Sequence, residues 1–291
     1  MGKIYVVATP IGNLGDISPR ALETLNNVDK IAAEDTRRTL KLLNHFEIKT
    51  PVISNYKYNE WERGRELIEQ ILAEDIDIAV VSDAGTPLIS DPGAVIVEMA
   101  RKNSIEVIAI PGASAVISAL SVSGFIFTEF CFLGFIPRNK KEIQEYCERI
   151  KKLSINVMVM FESPNRIIKS LKEIKQTLPD VSLMVINDIT KYYERVYWGD
   201  ISTVISQLEE SEKSTLGEYT IVMQKPSEEV VGDTDTEPDT VSSMTAEALL
   251  VEEMVNTSCT LKDAVETVAG KTGRNKKEIY KASLALKNLF S

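Results

Sequence analysis

The sequence predicts an α/β protein, two α/β domains followed by a small helical one, on three observations. Apolar runs alternate with amphipathic stretches through residues 1–122. Apolar runs return over 123–225 with different connections, and 244–291 pattern as short helices behind a stretch, 226–243, rich in Pro, Thr and acidic residues. Alternation of strand and helix at this spacing reads as a parallel sheet, and the polar stretch as an acidic linker.

In chain order, residues 4–8 read as a strand. Ser18-Pro19 opens a helix, because Ser can accept a first-turn amide and Pro has no amide to leave orphaned. Strands at 31–33 and 52–53 are separated by a helix over 36–46, and a helix over 59–73 precedes the apolar strand 76–81. A loop, a helix to about residue 102, a strand at 105–110 and a small-residue helix over 113–122 complete the first domain. Beyond Gly124 come an aromatic run to Phe135, a helix, and a strand at 155–161. Further strands fall at 183–186, 195–198 and 219–223. No helical pattern separates the first two of these, so they should pair antiparallel in a mixed sheet.

Composition narrows the chemistry. No apolar segment is long enough to span a bilayer and the strand-like start lacks signal-peptide layout, so a cytoplasmic protein with no membrane partner is expected. Cys131, Cys147 and Cys259 lack CxxC spacing and His45 is the only histidine. A disulfide framework, a zinc site and a histidine-based triad are therefore disfavoured, and no metal is expected. The formal charge of −10 resides wholly in residues 228–270; the remainder is balanced, with basic clusters at Arg138, Lys140 and Lys141 and at Arg274, Lys276 and Lys277. The overall sign thus does not exclude a nucleic-acid partner. Gly270-Lys-Thr272 is only a partial P-loop match, since Val265 occupies the position of the required glycine.

Ligands of open α/β sheets gather at the carboxyl ends of strands. Four such ends are loaded: Thr9-Pro-Ile-Gly-Asn-Leu-Gly-Asp16, Glu34-Asp-Thr-Arg-Arg38, Ser82-Asp-Ala-Gly-Thr-Pro-Leu-Ile-Ser-Asp-Pro-Gly93 and Pro111-Gly-Ala-Ser-Ala115. Small residues admit a ligand close to the backbone, prolines stiffen the loops, and Asp83 and Asp91 supply carboxylates in place of the cations a polyphosphate needs. A ligand with ribose hydroxyls and positive charge fits, and S-adenosylmethionine is of that kind. Each loop taken singly could be no more than turn chemistry.

These strings, together with Gly134-Phe-Ile-Pro137 and Phe161-Glu-Ser-Pro-Asn-Arg166, resemble the tetrapyrrole methylase family, specifically its members acting on small-subunit ribosomal RNA. The resemblance spans nearly the whole chain. It implies two α/β domains with S-adenosylmethionine in the cleft between them, a homodimer, and 2'-O-methylation of a cytidine ribose in the decoding region of 16S rRNA, free or in the small ribosomal subunit. The chain departs from the family pattern at Leu216, where a lysine is usual, and at Asn165, where a histidine is usual.

On this reading Pro10, Asp83, Gly85, Thr86, Asp91, Pro111, Ser114, Ala115 and Phe161 are candidates for the cofactor site. Glu34, Asp35 and Glu162 are the candidate proton acceptors, and Arg37 could anchor a phosphate or orient an acid. A helix-start charge cluster at residues 34–37 and an i,i+4 pair of Glu162 with Arg166 are the plain alternatives. Arg138, Lys140, Lys141, Arg274, Lys276 and Lys277 are candidates for RNA phosphates, against the alternative of solvated helix faces. Methylation of a corrin or porphyrin precursor, or nucleic-acid binding without catalysis, are the competing functions.

Overall fold

The computed structural model describes residues 2–55, 60–211, 215–226, 245–257, 260–272 and 276–289. Arg274, Cys259 and the expected linker beyond Pro226 lie outside them. The chain divides into two compact units, Met1–Ser227 and Glu228–Ser291.

The first unit begins with β1 (Ile4–Val7), α1 (Pro19–Asn27), β2 (Lys30–Ala33), α2 (Thr36–His45), β3 (Val52–Ser54), α3 (Glu60–Glu74), β4 (Ile78–Val81), α4 (Ala94–Lys102) and β5 (Val107–Ile110). The five strands form one parallel sheet ordered β3-β2-β4-β1-β5. Alternation along β4 explains why this strand reads as an unbroken apolar run. Ala79 and Val81 pack with Leu25 of α1 and Leu43 of α2, whereas Ile78 and Val80 pack with Ile71 of α3 and Ile96 of α4. Both faces are covered, so both sets of side chains must be apolar. Ser18 caps α1 by accepting from the Ala21 amide at 3.1 Å, as its position before Pro19 predicts.

The helix α5 (Ala115–Val122) carries the chain across to the second sheet. There follow β6 (Phe130–Phe135), α6 (Lys140–Lys152), β7 (Val157–Glu162), α7 (Ile167–Thr177), β8 (Ser182–Asn187), β9 (Arg195–Asp200), α8 (Ile201–Glu210) and β10 (Tyr219–Gln224). The sheet order is β6-β7-β10-β8-β9, with β6 and β7 parallel and the other pairs antiparallel, including β8 with β9. Met158 and Met160 of β7 face the core under α6, α7 and α8; Val157 and Val159 face Val116, Ala119 and Leu120 of α5. The helix grouped by sequence with residues 1–122 therefore packs on the second sheet. Buried Cys147 belongs to the α6 core, where burial pushes its thiol up to about 11.

The second unit contains α9 (Ala246–Thr257), α10 (Leu261–Thr272) and α11 (Lys276–Leu289), packed through Leu250, Val265, Val268, Ile279 and Leu286. Gly270-Lys-Thr272 lies inside α10, so this string is helix and not a phosphate loop.

Candidate cofactor and active site

The carboxyl ends of the first sheet and the facing strand ends of the second enclose a cavity of about 370 Å³. Its walls come from Ile11 after β1, the loop 84–91 after β4, the first turn of α5, Phe135 and Phe161 at the ends of β6 and β7, and Glu218 to Thr220 opening β10. This size, with mostly apolar walls and a few polar groups, is that of a small-molecule site.

Two glycines permit the geometry. Gly85 has φ +84°, and its amide and carbonyl bond Thr9 at 3.0 and 2.9 Å, pinning the β4 loop to the end of β1. A Cβ there would meet Ile11 Cγ2 at 3.3 Å, besides the cost of the left-handed conformation. Gly12 allows close approach: a Cβ would lie 2.4 Å from Lys191 Cγ, so the β1 loop of the first sheet and the β8–β9 loop of the second meet beside the cavity.

Of the candidate cofactor residues, Gly85, Thr86, Asp91, Ser114, Ala115 and Phe161 line the cavity. Pro10, Asp83 and Pro111 do not. Pro10 precedes the lining residue Ile11, and the Pro111 carbonyl accepts from Ser18 Oγ at 3.4 Å. Asp83 turns away: its carboxylate accepts the Asp35 amide at 3.0 Å and pairs with Arg38 at 3.3 Å. Sequence reading did not single out Ile11, Ala84, Ser90, Val116, Ile189 or Tyr219.

The electrostatics match the donor set. Among the described residues no lysine or arginine lines the cavity, while Asp91, Glu162 and Glu218 do. Burial raises the Asp91 carboxyl above its ordinary value, and the charge of Asp83 adds to this against a hydrogen bond from Ser82. Ser114 caps α5 through the Ile117 amide, so the positive end of a helix dipole reaches the same wall. A zwitterionic, cationic ligand is complemented there and a polyphosphate is not. The wall therefore fits S-adenosylmethionine.

The four candidate catalytic residues are differently employed. Glu34 is half-buried at the end of β2, and its carboxyl is raised by burial first and by the charges of Asp83 and Asp91 next. Asp35 caps α2, and the Arg37 guanidinium holds its carboxyl down to about 2. Arg37 itself is committed to Asp35 by side-chain bonds of 3.2 and 2.9 Å. Glu162, 2% exposed, is fully engaged: it accepts the Ser163 amide at 2.7 Å and Ser170 Oγ at 2.5 Å, and pairs with Arg166 at 3.1 Å. Arg166 also donates to the carbonyls of Ile136 and Pro137, tying β7 to the segment after β6.

Among the basic candidates, Arg138 and Lys141 are exposed. Lys140 is drawn to Glu173 at 3.0 Å and Gln176 at 3.2 Å, and Lys276 to Glu266 at 3.1 Å. Lys277 is exposed on α11. Among the described residues, no group of three or more His, Cys, Asp or Glu side chains could hold a metal ion, and no helix is long and apolar enough to cross a membrane.

Residues 3–205 match the family described as Tetrapyrrole (Corrin/Porphyrin) Methylases. Proteins called ribosomal RNA small subunit methyltransferase I are similar over most of the chain. The one from Thermotoga maritima is 44% identical, covering 77% of this chain and 98% of its own. The one from Synechocystis is 39% identical, covering 98% and 99%. Among solved structures, uroporphyrin-III C-methyltransferase from Thermus thermophilus complexed with S-adenyl homocysteine aligns with a TM-score of 0.53 at 14% identity, covering 77% of this chain and 97% of that one. Diphthine synthase aligns at 0.59, also with 14% identity, covering 77% and 90%. The two-sheet fold, the family match and relatives of near-equal length agree: the chain belongs to the tetrapyrrole (corrin/porphyrin) methylase family.

Proposed function

We propose that this protein is an S-adenosylmethionine-dependent methyltransferase of small-subunit ribosomal RNA, and that the acceptor is the 2'-hydroxyl of a cytidine ribose in the decoding region of 16S rRNA. The observation that carries the reading is the cavity: walled by both sheets with small and apolar residues, bearing carboxylates, and lined by no lysine or arginine among the described residues. A macrocycle bearing several carboxylates would meet Asp91, Glu162 and Glu218 with no arginine on the wall among the described residues, which disfavours a corrin or porphyrin precursor.

S-adenosylmethionine bound there supplies a methyl group already activated on a sulfonium, so the protein's task is alignment and proton management. Gly85 and Thr86 offer close backbone approach, Asp91 meets positive charge, the first turn of α5 meets negative charge, and Phe161 closes one side. Of the three acids, only Glu162 lines the cavity, but Glu34 has the chemistry of the better proton acceptor. Its raised carboxyl is a stronger base than Asp35, which Arg37 keeps ionised and weakly basic, and it is not consumed by an ion pair as Glu162 is. Arg138 and Lys141, with Arg274, Lys276 and Lys277, are proposed to hold RNA phosphates. A homodimer is proposed as well, supported by the exposed apolar side chains Ile117, Val122, Ile126 and Trp198, the last of which donates its indole N–H to the Ser123 carbonyl. No membrane partner is proposed.

The test is methyl transfer from labelled S-adenosylmethionine to small-subunit RNA and to assembled subunits, with the product mapped by ribose-methylation-sensitive cleavage. A single 2'-O-methylcytidine is expected. Methylation of a porphyrinogen with none of RNA would overturn the reading.

A further inference from the structure

The loop between β8 and β9 is the part of the cavity rim that the methyl-transfer reading leaves unexplained. It carries two adjacent tyrosines in the open: Tyr192 is 93% exposed and Tyr193 65%. Their rings pack edge to face, 4.9 Å between centroids at 89°, so together they form a corner with a ring face and a ring edge presented to solvent.

The loop is built rather than loose. Lys191 Nζ donates to Asp188 at 2.7 Å and to Glu218 at 2.9 Å, the Thr190 amide donates to Glu194 at 2.5 Å, and the Asp188 amide donates to the Glu218 carbonyl at 2.9 Å. Asp188 and Thr190 are held in the left-handed region, φ 54° and 67°. For a β-branched residue such as Thr190 that conformation is an outlier, and it persists only where the surroundings enforce it.

Position and charge indicate what the corner receives. Ile189 lines the cavity, and Tyr192 and Tyr193 follow it by three and four residues, at most about 14 Å of chain. Lys191 is spent on two carboxylates, so the loop's contact with a nucleic acid must be through ring faces rather than a phosphate. Unpaired bases stack on such surfaces irrespective of sequence. Resting on the RNA-methylation reading above, we propose that Tyr192 and Tyr193 form a stacking platform for an unpaired RNA base, that of the methylated nucleotide or its neighbour, and so present the ribose to the donor.

The test compares wild type with Tyr192→Ala, the double Tyr192→Ala/Tyr193→Ala and the double Phe variant. Each is assayed for RNA affinity over a salt series, for methylation at saturating S-adenosylmethionine, and for S-adenosylmethionine affinity by calorimetry. Loss of one stacked base should weaken RNA binding and raise the RNA KM about tenfold to a hundredfold in the double Ala variant. The salt slope should be unchanged because no phosphate contact is lost. Donor affinity should be unchanged, and the Phe variant should retain near wild-type KM. At 93% exposure Tyr192→Ala cannot compromise folding, so it alone should show a several-fold loss. RNA affinity and KM unchanged in all Ala variants, with wild type active on RNA, would overturn the platform and leave the methylation reading intact. A reduced salt slope, or conversion of a wild-type dimer to monomer, would overturn it in favour of a phosphate or subunit contact. A wild type inactive on every RNA would remove both.

Discussion

Glu60 is a stringent test of how the cavity is held. The N-cap of α4 is Gly93, which has no side chain to cap with. Glu60, from the first turn of α3, supplies the cap from across the fold: one carboxylate oxygen accepts the Gly93 amide at 2.7 Å and the Val95 amide at 3.0 Å. The segment it anchors runs back through Asp91, Ser90 and Thr86 of the cavity wall, and holds Leu88 and Ser90 in left-handed conformations, φ 72° and 73°. A lost cap costs about 1 kcal/mol, the charge–dipole contact about 0.3–1, and the two part-buried amides left without an acceptor about 1 more. Glu60→Ala should therefore destabilise by about 2–3 kcal/mol, and Glu60→Gln, which keeps an acceptor, by about 1. For a unit of this size each kcal/mol lowers Tm by about 2–4 °C. If the ligand must then supply about 1.4 kcal/mol to reorder the loop, its Kd rises about tenfold. Thermal unfolding and calorimetry read both quantities. Wild-type Tm and Kd in Glu60→Ala would refute the reasoning, and a Tm loss at constant Kd would confine Glu60 to the fold.

Three other outcomes are expected. Glu162→Ala takes the carboxylate from half-buried Arg166 and the acceptor from the Ser163 amide and Ser170 hydroxyl, which should cost about 2–3 kcal/mol and appear as a clear Tm loss; a variant of wild-type stability but greatly reduced rate would instead make Glu162 a proton acceptor. Glu34 has a raised folded pKa, so its stabilising contribution is present below the unfolded value near 4.5 and lost as pH rises through the folded one. Glu34→Gln should thus raise the Tm of the free protein at pH 7, with the gain shrinking once the pH falls below the folded value and gone below the unfolded one near 4.5, and should lower the maximal rate; an unchanged single-turnover rate would exclude Glu34 from catalysis. Removing charge at Arg138 and Lys141, or at Arg274, Lys276 and Lys277, should weaken RNA binding and flatten its salt dependence without altering donor affinity; wild-type salt slopes would make these clusters ordinary solvated faces.

The first sheet was legible because parallel strands covered on both faces leave unbroken apolar runs. Even so, β4 begins at Ile78 rather than 76, since Asp77 is drawn into bonds with Lys3 and Asp29 before the ladder starts. In the second half, α8 escaped notice although Asp200 caps it through the Ser202 and Thr203 amides, a local signal that the apolar pattern of β9 overshadows. The cavity was half legible for a related reason. Loops after β4 and β5 announce themselves by glycine, proline and small residues, whereas Ile189, Tyr219 and Thr220 sit in ordinary strand and turn sequence. Only the folding of one sheet over the other brings them to the wall. Pro10 and Pro111 stand one and three residues from the lining positions Ile11 and Ser114. The Asp83 carboxylate is used in holding the start of α2.

The charge arrangement imposes an order on substrate binding. Of the acids on the wall, Glu162 is neutralised by Arg166 and Glu218 by Lys191, which leaves Asp91 to repel phosphates at close range, yet the ribose to be methylated carries a phosphate on each side. At physiological ionic strength that repulsion fades over about 8 Å. The RNA can therefore be gripped where Arg138 and Lys141 are exposed, while the groups nearest the acceptor must be uncharged. Donor binding, by partly cancelling the negative wall, should then favour RNA entry, and by linkage RNA should tighten the donor. Both effects should shrink with added salt. Equal RNA affinity with and without the donor at low ionic strength would show that the acidic wall plays no part in excluding the polymer.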